Sequence, residues 1–266
     1  MRRCRSPSLW RRDDAVSEQM RTASMRGHPA VPERPPQADG MSGLGRGETK
    51  PPPEQAAPVT PRLRGRLHQV AFVASIPAGV ALVLAAWTTP AKLAAAVYAL
   101  SLAGLYGTSA AFHLGRWSAA ARRRMDQADH AMIYVLIAGS YTPLALLALD
   151  RTWGVTVLGV VWAVAVGGIA VVILRHRIRV VGITLYLTLG WLGVVTLPWL
   201  AGRLGIAKLA LLLVGGVLYT VGAVVLDRQR PDPSPAVFGY HEVWHAFTVA
   251  AGLCHYILIW LLVRAG

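Results

Sequence analysis

The chain has 266 residues, of which 54% are hydrophobic and only 15% are charged, and its formal net charge is +14. A soluble domain is usually about one quarter charged, so this composition excludes an ordinary soluble globular protein. A nucleic-acid-binding protein clusters basic residues on a folded soluble face. Here they lie in an N-terminal tail and in short loops, which is typical of a membrane protein that contacts anionic lipid and not nucleic acid.

The chain divides into two parts at about residue 60. Residues 1–60 are rich in Pro, Arg, Gly and Ser and lack apolar periodicity, so we expect a disordered, basic cytoplasmic tail. No secretory signal pattern is visible in it. The only cysteines, Cys4 and Cys254, are too few for a disulfide framework or a CxxC metal site. Residues 61–266 are expected to form the membrane domain.

From residue 68 onward the chain contains seven long apolar stretches. A bilayer core of about 30 Å requires about 20 apolar residues in a helix. Runs of this length exclude barrel strands of about 9–11 residues. The predicted fold class is therefore an all-α polytopic membrane protein with seven transmembrane helices in one bundle. The predicted spans are 68–86, 91–113, 130–149, 153–174, 180–200, 205–226 and 242–263.

The distribution of basic residues predicts the orientation of the chain. The end of the tail and the loops after the second, fourth and sixth spans carry twelve arginines, against five Lys or Arg on the opposite side. Cytoplasmic loops carry the excess of positive charge. We expect a multi-pass protein of the cell membrane, with its N-terminus cytoplasmic and its C-terminus outside.

Polar residues recur at one end of three predicted spans. Ser109 and His113 lie four apart near the end of the second span, Asp129 lies just before the third, and His241 and His245 lie four apart at the start of the seventh. Residues four apart share a helical face. Ionisable groups at membrane depth are costly and therefore indicate function. The topology brings all five residues to the same cytoplasmic side.

Three histidines form a common zinc sphere that leaves one position open for water. His241 and His245 can chelate one ion from consecutive turns, and His113 can supply the third ligand. Zinc suits neutral imidazole, although copper or nickel also binds such nitrogen ligands. His130, His176 and His255 are interpreted as interfacial or satisfied core residues.

Asp129 and Ser109 are candidates for catalytic roles beside such an ion. Asp129 would orient or deprotonate a water, and Ser109 would donate a hydrogen bond to a substrate carbonyl or to that water. The alternatives are a helix cap or a partner for loop arginines at Asp129, and simple close packing at Ser109.

A second metal motif overlaps the histidine pair. His241-Glu-Val-Trp-His245 fits the HExxH pattern, in which the glutamate is the general base of a metalloprotease. Glu242 is therefore an alternative base, but so short a pattern does not by itself establish proteolysis.

Several motifs occur in the order seen in the hemolysin III family, which this chain resembles over about residues 61–263. They are Arg64-Gly-Arg-Leu-His68, Ser109-Ala-Ala-Phe-His113, Asp129-His130 followed by Ile137-Ala-Gly-Ser-Tyr-Thr-Pro143, Gly215-Gly-Val-Leu-Tyr219 and His241-Glu-Val-Trp-His245. That family belongs with the progestin and adiponectin receptors, in a wider group that includes alkaline ceramidases.

The resemblance implies a seven-helix bundle with a cytoplasmic N-terminus and a zinc ion at His113, His241 and His245. Asp129 and Ser109 match the accompanying aspartate and serine of the family. Three functions follow as alternatives. The first is a zinc-dependent hydrolase of lipid amide or ester bonds, the second a membrane-permeabilising hemolysin, and the third a non-enzymatic protein of membrane homeostasis or sensing with structural zinc. Membrane lipids are the expected partners in each case.

Overall fold

A computed structural model describes residues 60–174 and 179–265 of the chain, without the side chains of 179–183. Over these ranges the protein consists of helices and connecting loops, with one isolated β-bridge between Ser234 and Phe238. The predicted all-α class is therefore confirmed. The predicted tail lies outside the described residues apart from Thr60, and His176 also lies outside them.

The described residues form seven α-helices, numbered in chain order. They are α1 (Arg66–Ala85), α2 (Thr89–Leu114), α3 (Ala119–Leu147), α4 (Arg151–Leu174), α5 (Arg179–Trp191), α6 (Leu197–Arg228) and α7 (Tyr240–Val263), with a 3₁₀ helix at Leu192–Thr196 between α5 and α6.

Six helical stretches in the described residues are long and apolar enough to cross a bilayer. Five correspond to α1, α2, α3, α4 and α7. The sixth runs over 45 residues, Thr184–Arg228. A straight helix of that length would measure about 68 Å, more than twice the roughly 30 Å of a bilayer core. It is bent at Gly205, whose φ of 72° and ψ of 165° are not helical. This stretch contains the sixth predicted span, 205–226, and residues 184–200 of the fifth.

Helix α3 begins eleven residues earlier than the predicted start at residue 130. Ser118 caps it, with its Oγ accepting a hydrogen bond from the Ala121 N–H at 3.3 Å. The first turns contain polar residues such as Arg122, which are compatible with an α-helix but not with the apolar core of a bilayer. A search for apolar runs therefore misses them. The interpretation of Asp129 as a helix cap is wrong, because Asp129 lies inside α3 and is buried.

Helix α7 occupies a central position, because it packs against α1, α2, α3 and α6. Two tyrosine hydroxyls tie it to its neighbours. The Tyr98 hydroxyl of α2 donates to the Gly252 carbonyl at 3.0 Å, and the Tyr256 hydroxyl of α7 donates to the Ala78 carbonyl at 2.9 Å. The N-terminal end of α7 consequently lies beside the C-terminal end of α2 and the first half of α3.

Candidate metal centre

Helices α2 and α7 bring three histidines together. His113, His241 and His245 each offer a nitrogen atom, and these atoms all lie within 4.8 Å of one another. The shortest approach is 3.1 Å, between Nε2 of His113 and Nε2 of His241. His245 is completely buried, and neither of its ring nitrogens has a hydrogen-bond partner among the described residues.

This donor set fits a metal ion. A buried polar atom without a partner is costly, and an ion would accept the lone pair of one ring nitrogen of His245. Three imidazoles from two helices match the ligand type and number of a catalytic zinc site. The structure thus brings the three predicted histidines into one possible metal site, while the nature of the metal rests on ligand chemistry.

Asp129 of α3 lies next to this cluster. Its Oδ2 is 3.9 Å from Nε2 of His113, and the Ser109 side chain is close enough to interact with the carboxyl group. A separation of 3.9 Å is too long for a direct hydrogen bond, but a water can bridge such a gap. All five predicted site residues therefore lie in one region, with Ser109 and Asp129 beside the three histidines.

His68 of α1 is a neighbour of the cluster that was not predicted as a site residue. Its ring stacks on that of His245, with 3.7 Å between centroids and 10° between planes, and it is 2% exposed. Neither nitrogen of His68 has a hydrogen-bond partner in the described part of the chain. The position of His68 at the end of the Arg64–His68 motif could have indicated a functional role. Its contact with α7 could not be predicted, because His68 and His245 are far apart in the sequence.

Both carboxylate oxygens of Glu242 have partners. Oε2 accepts a hydrogen bond from the Gly239 N–H at 2.9 Å, which caps α7, and Oε1 pairs with Nε of Arg64 at 3.0 Å. Glu242 is completely buried, whereas the Arg64 side chain is 22% exposed. A buried carboxylate requires such pairing. These contacts favour a structural role for Glu242 over the role of general base.

The residues just before α1 are held against the loop that precedes α7. The N–H groups of Arg62 and Leu63 donate to the carbonyls of Ala236 and Val237 at 3.0 and 3.1 Å. Gly65 follows with a φ of +77°, and a Cβ atom there would lie 2.7 Å from the Cβ of His113. Glycine is therefore required both by the backbone conformation and by the close approach to a candidate ligand.

Replacing Gly65 with alanine is expected to weaken metal binding and to destabilise the protein by about 1–3 kcal/mol, the cost of a left-handed conformation in a residue with a Cβ. The shift imposed on His113 accounts for the weaker binding. Thermal unfolding and zinc titration of the purified variant measure the two effects. Gly159→Ala is the matched control, because a Cβ at position 159 would meet nothing within 4 Å. Equal behaviour of the two variants would contradict the prediction.

An apolar cavity extends into the bundle from beside the three clustered histidines, none of which lines it. His68, Ser109, Asp129 and Trp244 line it at the end near the histidines. Its lining continues along α7 from Trp244 to Ile259, fifteen residues or about 22 Å of helix. Most other lining residues are apolar, among them Leu105, Ile133, Leu136, Leu144, Leu200 and Leu258.

One side of the cavity reaches the outer surface of the bundle. Trp191, Val194 and Leu213 line the cavity and are 45%, 44% and 41% exposed. They belong to α5, the 3₁₀ helix and α6. Part of the cavity wall therefore lies at the outer surface of the described helices.

Comparison with known proteins gives consistent matches along the membrane domain. Residues 57–256 match the family described as Haemolysin-III related. Hemolysin-3 of Bacillus cereus is 34% identical over 186 residues, which cover 68% of this chain and 82% of that protein. The Hemolysin-3 homolog of Bacillus subtilis (strain 168) is 30% identical over 199 residues, covering 72% and 89%. The human Monocyte to macrophage differentiation factor is 29% identical over 180 residues, covering 64% and 70%.

Proposed function

This chain belongs to the haemolysin III-related family of multi-pass membrane proteins, and we propose that it is a zinc-dependent hydrolase of lipid amide or ester bonds. One observation carries the proposal. An apolar cavity that follows about 22 Å of α7 has a buried carboxylate and a serine hydroxyl in its wall, beside three clustered histidines. A purely structural metal site needs neither the carboxylate nor the cavity.

His113, His241 and His245 would hold the zinc ion. The ion would supply Lewis-acid activation of a water and of the scissile carbonyl. The ring of His68 packs on His245 and fixes the orientation of that side chain. The mostly apolar wall keeps bulk water away from the acyl chain.

Asp129 and Ser109 would carry the proton transfer and the charge stabilisation. The Asp129 carboxylate accepts a proton from the attacking water as the water oxygen bonds to the carbonyl carbon. The same proton passes to the leaving nitrogen or oxygen as the C–N or C–O bond breaks. The Ser109 hydroxyl donates a hydrogen bond to the carbonyl oxygen, where negative charge develops. The products are a fatty acid and an amine or an alcohol.

The proposal includes the arrangement in the membrane. Two crossings in the bent stretch Thr184–Arg228 would give the chain seven spans, and the excess of arginines supports a cytoplasmic N-terminus. The metal centre then lies at the cytoplasmic side of the bundle. Cysteine-accessibility labelling of residues in the loop 229–239 tests this orientation, because these residues are expected to react only from the cytoplasmic side.

The test of the function is hydrolysis by the purified full chain in lipid nanodiscs. Ceramide-like amides and phospholipid esters are supplied, and released fatty acid is measured with zinc, after chelation and after zinc is returned. Activity that chelation removes and zinc restores supports the proposal. Absence of zinc-dependent release from every amide and ester tested contradicts it.

A membrane-permeabilising role is the second candidate, because two relatives carry the name hemolysin. Dye leakage from vesicles that contain the protein separates it from hydrolysis. Leakage that is unaffected by chelation and by loss of the histidines indicates permeabilisation. A zinc-bound protein that neither hydrolyses lipid nor causes leakage indicates a sensing role with structural zinc.

A further inference from the structure

A second polar site lies in the wall of the cavity, away from the metal centre. Tyr219 of α6 and His255 of α7 both line the cavity, and their ring centroids are 5.6 Å apart. Nε2 of His255 interacts with the Leu212 carbonyl at a long distance of 3.4 Å. The Tyr219 hydroxyl is buried and has no hydrogen-bond partner among the described residues. His255 is therefore more than the satisfied core residue predicted from the sequence.

The neighbouring backbone holds the His255 ring in this position. A Cβ atom at Gly215 would lie 2.5 Å from both Cδ2 and Nε2 of His255. The ring thus fills the space that glycine leaves on α6, one turn before Tyr219. A buried hydroxyl without a partner destabilises a protein. Its retention in a cavity wall, beside an imidazole that is held in place, indicates contact with a polar group of a ligand.

The spacing along α7 gives the distance between the two polar sites. His255 lies ten residues after His245, which corresponds to about 15 Å of helix. An extended alkyl chain advances roughly 1.3 Å per carbon, given C–C bonds of about 1.52 Å. A chain with its carbonyl carbon, counted as the first, at the metal centre therefore passes Tyr219 and His255 at about its twelfth or thirteenth carbon.

We infer that Tyr219 and His255 bind a hydroxyl group near the middle of the acyl chain, so that the preferred lipid is hydroxylated at mid-chain. The inference rests on the proposed function, because the carbon position is counted from a carbonyl at the histidine cluster. A neutral hydroxyl fits this depth, since it can both donate to and accept from Tyr219. A charged group there would be costly.

Binding of free fatty acids to the purified full chain in nanodiscs tests the inference. The probes are stearate, 12-hydroxystearate and 18-hydroxystearate, with affinity measured by isothermal titration calorimetry. One added hydrogen bond predicts about 3- to 10-fold tighter binding of 12-hydroxystearate than of stearate. The terminal hydroxyl of 18-hydroxystearate lies six carbons beyond the twelfth, too far along the chain to reach Tyr219 and His255, and should not improve binding through them. Equal affinity for stearate and 12-hydroxystearate would overturn the inference.

The variant Tyr219→Phe should abolish this preference and leave the affinity for stearate unchanged. Tyr256→Phe is the matched control, since that hydroxyl donates to the Ala78 carbonyl and does not line the cavity. It should keep the preference. Without ligand, Tyr219→Phe should not lower the unfolding temperature, because it removes an unsatisfied hydroxyl. A lowered unfolding temperature together with an unchanged preference would show that Tyr219 is structural and would overturn the inference.

Failure of the inference and failure of the proposed function give different results. A preference for 12-hydroxystearate without zinc-dependent hydrolysis supports the lipid site and contradicts the hydrolase. Hydrolysis that treats stearoyl and 12-hydroxystearoyl amides alike, with equal binding of the two acids, supports the hydrolase and overturns the lipid site.

Discussion

Replacing His241 and His245 together with alanine is expected to reduce bound zinc from about one ion per chain to almost none. The two side chains are consecutive-turn ligands of one ion, and His113 alone cannot hold it, since a zinc site of this type needs three protein ligands. The measurement is metal content of the detergent-purified protein by mass spectrometry. Circular dichroism on the same samples should show that the helices remain.

A matched control for this experiment is His130→Ala. His130 lies near the site on α3, but its side chain is 51% exposed and its Nδ1 is hydrogen-bonded to the backbone carbonyl of Asp126. This variant should keep its zinc. Carefully prepared wild-type protein with no stoichiometric metal would contradict both the site and the hydrolase mechanism. A sensing or membrane-perturbing role would then be the better explanation.

Asp129→Asn is expected to lower the rate of lipid hydrolysis by about 10²- to 10⁴-fold, the usual contribution of a general base. Asparagine has nearly the same shape but cannot accept the proton. Zinc content should remain that of the wild type, because Asp129 lies 3.9 Å from His113 and is not one of the three clustered ligands. The rate is measured as released fatty acid in nanodiscs, beside the metal content of each sample.

Glu242→Gln distinguishes the two carboxylates. If Asp129 is the base, the Glu242 variant keeps most of its activity and loses stability, because Arg64 loses its buried partner and ion pairs of this kind are costly to break. Loss of hydrolysis in Glu242→Gln with full activity in Asp129→Asn would reverse the assignment. It would revive the HExxH interpretation, in which Glu242 is the base.

The sequence by itself determined the fold class and the family of this protein. The length of the apolar stretches is sufficient to predict the fold class, since about 20 apolar residues in a row can cross a bilayer only as a helix. The spacing of four residues between His241 and His245 likewise fixes their shared face, because it depends only on helical periodicity. Polar residues that lie at one end of several spans can be brought together by topology alone.

The tertiary structure decided which distant residues meet and which partners each carboxylate has. Glu242 and Asp129 have the same chemistry in the sequence, but only Glu242 is held by Arg64 and by the cap of α7. The stacking of His68 on His245 and the pairing of Tyr219 with His255 join different helices. Such contacts depend on how helices are rotated and offset against each other. The rotation and offset of the helices depend on close packing at glycines such as Gly65 and Gly215 and cannot be predicted from the periodicity of one helix.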